Sequence, residues 1–230
     1  MQIEEFKIRC SAIGKIMTNS RTKGELSKTA QGYCKDWLKG QIFKRQRHIS
    51  TKYTEKGNIM EDNSIDFIAK MLGYGMLIKN EEHFSNDFMK GTPDILPGNT
   101  DIVIDAKNSW SHDTFPLFES EATTLDYYWQ LQGYMHLTGR KKGVLAYVLS
   151  DTPDHLIERE AKWYCIKNGY EAMDNDIFNE FYDRMNYSDI EDKYKIKVFE
   201  FDYNPESIKS IEDRVLECRN FISKLKKQII

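Results

Sequence analysis

The chain has 230 residues, with 33 Lys and Arg against 36 Asp and Glu and a formal net charge of −3. Its 40% hydrophobic and 13% aromatic content fits a folded globular protein rather than a disordered one, and no apolar run nears the roughly 20 residues that a helical membrane span requires. Cys10, Cys34, Cys165 and Cys218 are scattered, with no CxxC and no His at ligand spacing, and Met1-Gln2-Ile3-Glu4-Glu5 shows no signal pattern, so the expectation is a soluble, cytoplasmic protein without disulfides, zinc or iron–sulfur clusters.

Residues 11–17 read as a helix start with Ser11 as its N-cap. After a polar turn over 20–28, a helix is expected over 29–46. The stretch from Lys35 to Lys56 gathers Lys35, Lys39, Lys44, Arg45, Arg47, Lys52 and Lys56 against Asp36 and Glu55, while acids gather between Glu171 and Asp192. Such a basic track either guides a phosphate backbone through a channel or is a solvated helix face. Gly57-Asn58 punctuates, and a second helix runs from about 59 to 72, ended by Gly73. Glu61, Ile65, Ile68 and Leu72 share one face of it, so Glu61 heads an apolar stripe and needs a partner, either a metal or a basic side chain.

Strands around 81–91 and 101–107 are expected to form a hairpin. It carries Asp94 in the turn Gly91-Thr92-Pro93-Asp94, and Asp105 and Lys107 at the end of Ile102-Val103-Ile104-Asp105-Ala106-Lys107. Strand side chains alternate faces, so Asp105 and Lys107 point the same way. Two carboxylates can hold a hard divalent cation, and a lysine beside them can orient or activate an attacking water; an acid-x-Lys pair also serves as a plain ion pair on a sheet surface. Residues 108–124, with Trp110, His112, Phe115 and Pro116, read as a loop over this site, whose aromatics could stack on a frayed base.

Helix 121–138 turns Gln132 inward beside Tyr128 and Met135, toward the site or onto a backbone group. Strands are expected at 143–149, 162–167 and 195–201. After Pro205, the series Ile208, Ile211, Val215, Cys218, Ile222, Leu225 and Ile229 makes an apolar seam that either packs on this chain's own core or forms a coiled coil. With no repeat and no linker, one domain over 1–230 is expected.

Taken in order, Ser11 in SAIGKIM, Glu61 in GNIMEDNSI, Asp94 in GTPD, Asp105-Ala106-Lys107, and Gln130 and Gln132 in WQLQGYM resemble the PD-(D/E)XK nuclease superfamily, and within it the YqaJ-like viral recombinase and phage lambda exonuclease group. The resemblance covers about residues 8–150. It implies an α/β fold with a restriction-endonuclease-like core, a mixed central β-sheet flanked by α-helices in a single domain. It also implies Mg²⁺-dependent cleavage of DNA, with Mn²⁺ able to substitute. Glu61, Asp94 and Asp105 would lie at the metal, Lys107 would position the water, and Gln132, with Gln130, would support the site. Ser11 and Thr92 would sit near a 5′-terminal phosphate. The family's upstream arginine has no counterpart here, and Arg9 is the candidate to replace it; Lys44, Arg45 and Arg47 would contact the DNA backbone. Asp105 stands where the family usually has Glu, one methylene shorter. The implied function is a 5′-end exonuclease on linear duplex DNA, working with a single-strand annealing protein and assembled as a homo-oligomer, a trimeric ring in processive relatives. The alternatives are an endonuclease of junction-resolving or restriction type on the same core, and a catalytically silent DNA- or protein-binding module.

Overall fold

The computed structural model describes residues 4–45, 50–122 and 124–228. The elements in chain order are β1 (Ile8–Arg9), α1 (Ile13–Ile16), α2 (Lys28–Phe43), α3 (Lys52–Ile59), α4 (Glu61–Leu72), β2 (Phe84–Ser85), β3 (Met89–Gly91), β4 (Ile102–Asn108), α5 (Leu125–Thr138), β5 (Lys142–Val148), α6 (Asp154–Asn168), α7 (Asn175–Met185), β6 (Ile196–Asp202) and α8 (Pro205–Lys227). The strands make two sheets, one in the order β1-β3-β2 and one in the order β4-β5-β6. In the second, β4 and β5 are parallel, with Asp105 opposite Leu145 and Lys107 opposite Tyr147, and β6 closes the sheet antiparallel to β5. This is the mixed α/β architecture flanked by helices that the sequence led us to expect.

Strand alternation gives β4-β5-β6 two covered faces. Val103, Leu145, Tyr147 and Phe199 pack into the larger core with residues of α1, α2, α5 and α8. Ile104, Val144, Ala146 and Val148 pack into a second core with Ile65, Ile68 and Ala69 of α4 and with Ile95. Asp105 and Lys107 therefore face α5, while Ala106 and Asn108 face α4. The seam of α8 goes to this chain's own core: Ile208, Ile211, Val215, Cys218 and Ile222 are buried. Ile229 lies outside the described residues.

Several local expectations are overturned. Residues 162–167 are helical: Ile157, Ala161 and Cys165 bury one stripe of α6, and this longer period outweighs the β-forming side chains between them. Gly57-Asn58 lies inside α3, whose start is fixed by a capping box between Thr51 and Thr54, and the break falls at Met60 instead. Ser11 sits in a 3₁₀ turn over Cys10–Ala12 and caps nothing. β3 and β4 belong to different sheets, so they form no hairpin; only Ile95 bridges to β4, through paired bonds with Ile104 of 3.1 and 3.0 Å.

The basic track is also redistributed. Lys56 is 1% exposed and donates to the carbonyls of Trp110 at 3.0 Å and Ser150 at 2.8 Å, tying α3 to the loops that follow β4 and β5. Burial lowers its ammonium from 10.5 to about 8, against the attraction of Asp151. The folded state thus releases this proton near pH 8 and the unfolded chain near 10.5. Stability rises with pH across that window, because the unfolded state holds more protons there. A difference of this size is worth about 3 kcal/mol. Chemical denaturation at pH 7.5 and pH 10 should show wild type gaining about that much relative to Lys56→Met; equal pH slopes for the two proteins would refute the buried-charge account.

Candidate active site

Asp105 and Lys107 project from β4 toward α5. The Asp105 carboxylate is fully buried, and its Oδ2 lies 2.6 Å from the Lys107 ammonium. Its Oδ1 accepts a bond of 2.7 Å from Gln130 Nε2, which also reaches the Tyr134 hydroxyl at 3.1 Å. Asp94 comes alongside from the turn before Ile95, where its Oδ2 accepts from the Ala106 amide at 2.9 Å. That turn is itself held: Asn80 donates its backbone N–H to the Asp94 carbonyl at 2.8 Å and its side-chain amide to the Pro93 carbonyl at 3.0 Å. Arg140, just past the C-cap of α5, binds the carbonyls of Pro97 at 2.9 Å and Ile102 at 2.5 Å, which fixes the loop into β4.

The electrostatics follow from burial and crowding. Burial, and then the charge of Asp105, push the Asp94 carboxyl up to about 7, with Lys107 and the Ala106 amide opposing. Burial works against the Lys107 ammonium, but Asp105 and Asp94 outweigh it and raise it. Lys107 is therefore held as a cation, 5.4 Å from the Tyr127 ring centre. Held this way it can donate to a developing negative charge; it is not placed as a base that takes a proton.

Two of the residues expected at the site meet other partners in this structure. Glu61, at the start of α4, is paired with Lys79 at 2.6 Å rather than joined to the two aspartates, and this pairing raises the Lys79 ammonium. Gln132 is buried, donates to the Asp202 carbonyl at 2.8 Å and accepts from the Asn204 amide at 2.8 Å. It clamps the turn from β6 into α8. Residues two apart on a helix point about 200° from each other, so only one of the two glutamines can look at β4, and that one is Gln130. Lys79 is brought in by its backbone bridge to Ile95, a contact that no local pattern signals.

Among the described residues no three His, Cys, Asp or Glu side chains stand together as a ready metal site. The Asp94–Asp105 pair nevertheless fits a divalent cation. Asp105 Oδ2 is buried and, although it touches Lys107, accepts no hydrogen bond of good geometry. Asp94 is crowded against it by like charge. Glu61 would join by exchanging Lys79.

A second feature adjoins the carboxylates. Arg9, Cys10, Ser11, His83, Lys90, Gly91, Thr92 and Tyr134 line a cavity of about 230 Å³. Three residues proposed from sequence, Arg9, Ser11 and Thr92, meet there. His83, bonded to the Thr92 hydroxyl at 3.1 Å, and Lys90 were missed, although Lys90 directly precedes the Gly91-Thr92-Pro93-Asp94 turn. Tyr134 lies four residues after Gln130, a spacing that would have placed both on one helix face. Its ring walls the cavity while its hydroxyl meets the Gln130 amide that holds Asp105, so one side chain separates the two features. The floor is tight: a Cβ at Gly91 would come within 2.8 Å of the Tyr134 ring, and one at Gly133 within 2.9 Å of Cys10 Sγ. Lys44 and Arg45 are exposed at the C-terminal end of α2, and Arg47 lies outside the described residues.

Removing the Asp94 charge while keeping its shape should relieve the crowding. Asp94→Asn should raise Tm without divalent ions by about 2–4 °C, roughly 1 kcal/mol, and added Mg²⁺ should raise the Tm of wild type but not of this variant. A lower Tm with intact Mg²⁺ stabilisation would show that the two carboxylates do not compete for one cation.

No family model and no curated protein matches the chain. Among solved structures, it is similar over 99% of its length to a phage-related exonuclease from Haemophilus somnus 129PT, covering 98% of that chain at 27% identity with a TM-score of 0.82. It is also similar to the alkaline exonuclease LHK-Exo from Laribacter hongkongensis, over 97% of this chain and 93% of that one, at 16% identity and a TM-score of 0.65. LHK-Exo in complex with dAMP matches over the same shares at 17% identity and a TM-score of 0.64. The mixed α/β fold seen here is thus one shared with solved exonucleases.

Proposed function

We propose that this chain is a divalent-metal-dependent deoxyribonuclease of the YqaJ-like group, a 5′-end exonuclease acting on linear duplex DNA. The observation that carries this is the adjacency of the Asp94–Asp105–Lys107 cluster and the cavity lined by Arg9, Ser11, His83, Lys90 and Thr92, with Tyr134 between them. An enzyme that starts at a chain end needs a terminal stop beside its cutting site. A small cavity with two cations, hydroxyls and an imidazole suits a terminal phosphate, and an enzyme that cuts mid-strand has no use for it. The likeness in fold to a phage-related exonuclease supports the same choice.

Asp94 and Asp105, with Glu61 once freed from Lys79, would hold Mg²⁺ or Mn²⁺. The ion would supply charge neutralisation on the phosphodiester oxygens and a nucleophile at neutral pH. Lys107, kept cationic by Asp105, donates to the oxygen that gains charge in the transition state. Gln130 fixes the Asp105 carboxylate through Oδ1, which would leave Oδ2, shared with Lys107, to take part in holding the ion. The product would be a 3′ overhang, a substrate for a single-strand annealing partner, and a ring of copies would make digestion processive.

Purified protein with Mg²⁺ should digest a linear 5′-phosphorylated duplex, act more slowly on the 5′-hydroxyl duplex, and leave a covalently closed circle intact; EDTA should stop all cutting. Lys107→Ala should be inactive, but it also strands a buried carboxylate at a cost of about 3–5 kcal/mol. Asp94→Asn, expected to be the more stable protein, should be equally inactive and separates lost chemistry from lost folding. Cutting of the circle would move the chain to the endonuclease class, and no cutting at all would leave a binding module.

A further inference from the structure

The N-terminus of α3 and the loop after β4 hold an aromatic pair that the site described above does not use. The Tyr53 and Trp110 rings meet edge to face at 5.6 Å and 77°, and Tyr53 is 57% exposed. The Lys52 ammonium lies 4.8 Å from the Trp110 ring centre and 5.6 Å from that of Tyr53, and is itself held by Glu160 at 2.5 Å. Beneath them the buried Lys56 binds the Trp110 carbonyl at 3.0 Å, which ties the loop to α3. Burying an ammonium is costly. Here it is spent on fixing an exposed ring, a half-buried ring and a cation relative to one another, not on filling a core.

Position supplies the second argument. Trp110 lies three residues beyond Lys107, so their Cα atoms are at most about 11 Å apart. Tyr53 precedes Glu61 by eight residues, about 12 Å along helical backbone. The platform therefore sits on the segments that adjoin Lys107 on one side and Glu61 on the other, a few residues of backbone from each.

We infer that Tyr53, Trp110 and Lys52 form a stacking platform for one unpaired nucleobase of the DNA next to the scissile phosphate, an inference that rests on the nuclease function proposed above. Every base offers a π-face, so the platform is indifferent to sequence. Lys52 adds a cation beside the rings and the neighbouring backbone. Held there, the base cannot re-pair while its phosphate is at the carboxylates.

The test uses the full chain, as wild type, Tyr53→Ala and Tyr53→Phe, on linear duplexes in which one residue at a time, from the first to the fourth from the 5′ end, is abasic. Wild type should lose roughly fivefold or more in kcat/KM when the stacked base is missing. Tyr53→Ala should show that loss on intact DNA and no further loss on the abasic duplex, while Tyr53→Phe behaves as wild type. A 2-aminopurine at the same position should be quenched on binding to wild type and not to Tyr53→Ala. Tyr53→Ala that digests intact DNA like wild type, or losses from the two changes that multiply, would overturn the platform and leave the nuclease standing. Wild type that cuts no DNA would overturn both.

Discussion

The burial of one carboxylate organises the molecule. Asp105 has no exposed surface, and a lone charge there would be prohibitive. It survives because Lys107 stands two residues away on the same strand face and Gln130 reaches across from α5. Those partners require β4 to run against α5 in one register, which the pairing of β4 with β5 and the Arg140 anchor both enforce. Asp94 then enters a space already negative, and its carboxyl rises toward neutrality in response. The cluster is thus held by internal ion pairs, with Lys107 as the counterion of Asp105 and Lys79 that of Glu61.

How much of this could be seen in the sequence depends on how far apart the partners lie. Asp105 and Lys107 are legible because a strand has period two, and one strand settles their facing. The apolar stripes of α4 and α8 are legible for the same kind of reason: Ile65 and Ile68, and Ile208 through Ile222, repeat with the helix and are buried. A strand over 162–167 does not form because six residues of β-forming composition are too short a window to set the period. The stripe from Ile157 to Cys165 decides it, and that stripe begins outside the window. The β3–β4 hairpin failed because Pro93 and the loop to Thr100 send the chain from one sheet to the other, and only Ile95 pairs on the way. Tertiary choices were harder still. Nothing local tells whether Glu61 meets a metal or Lys79, nor that His83 would come to rest against Thr92.

The two glutamines show the limit most clearly. Both are buried and both are hydrogen-bonded, so burial and polarity cannot tell them apart. Only the helix geometry of α5 separates them: one looks at Asp105 on β4, the other at the turn that launches α8. The fold shared with solved exonucleases places α5 over β4, and within that frame a rotation decides which glutamine meets Asp105.

The close crossing of β3, the Cys10 turn and α5 bears on how such a protein can diverge. Gly91 and Gly133 let three backbones meet around a buried thiol, and neither position tolerates even a methyl group without displacing Tyr134 or Cys10. The cavity therefore has a rigid floor and an exposed rim of Arg9, Ser11, His83 and Thr92. Substitutions in the rim change the cavity's lining at little cost to folding, while substitutions in the floor must displace packed side chains. Chains that share this architecture should vary at the rim long before they vary at the floor.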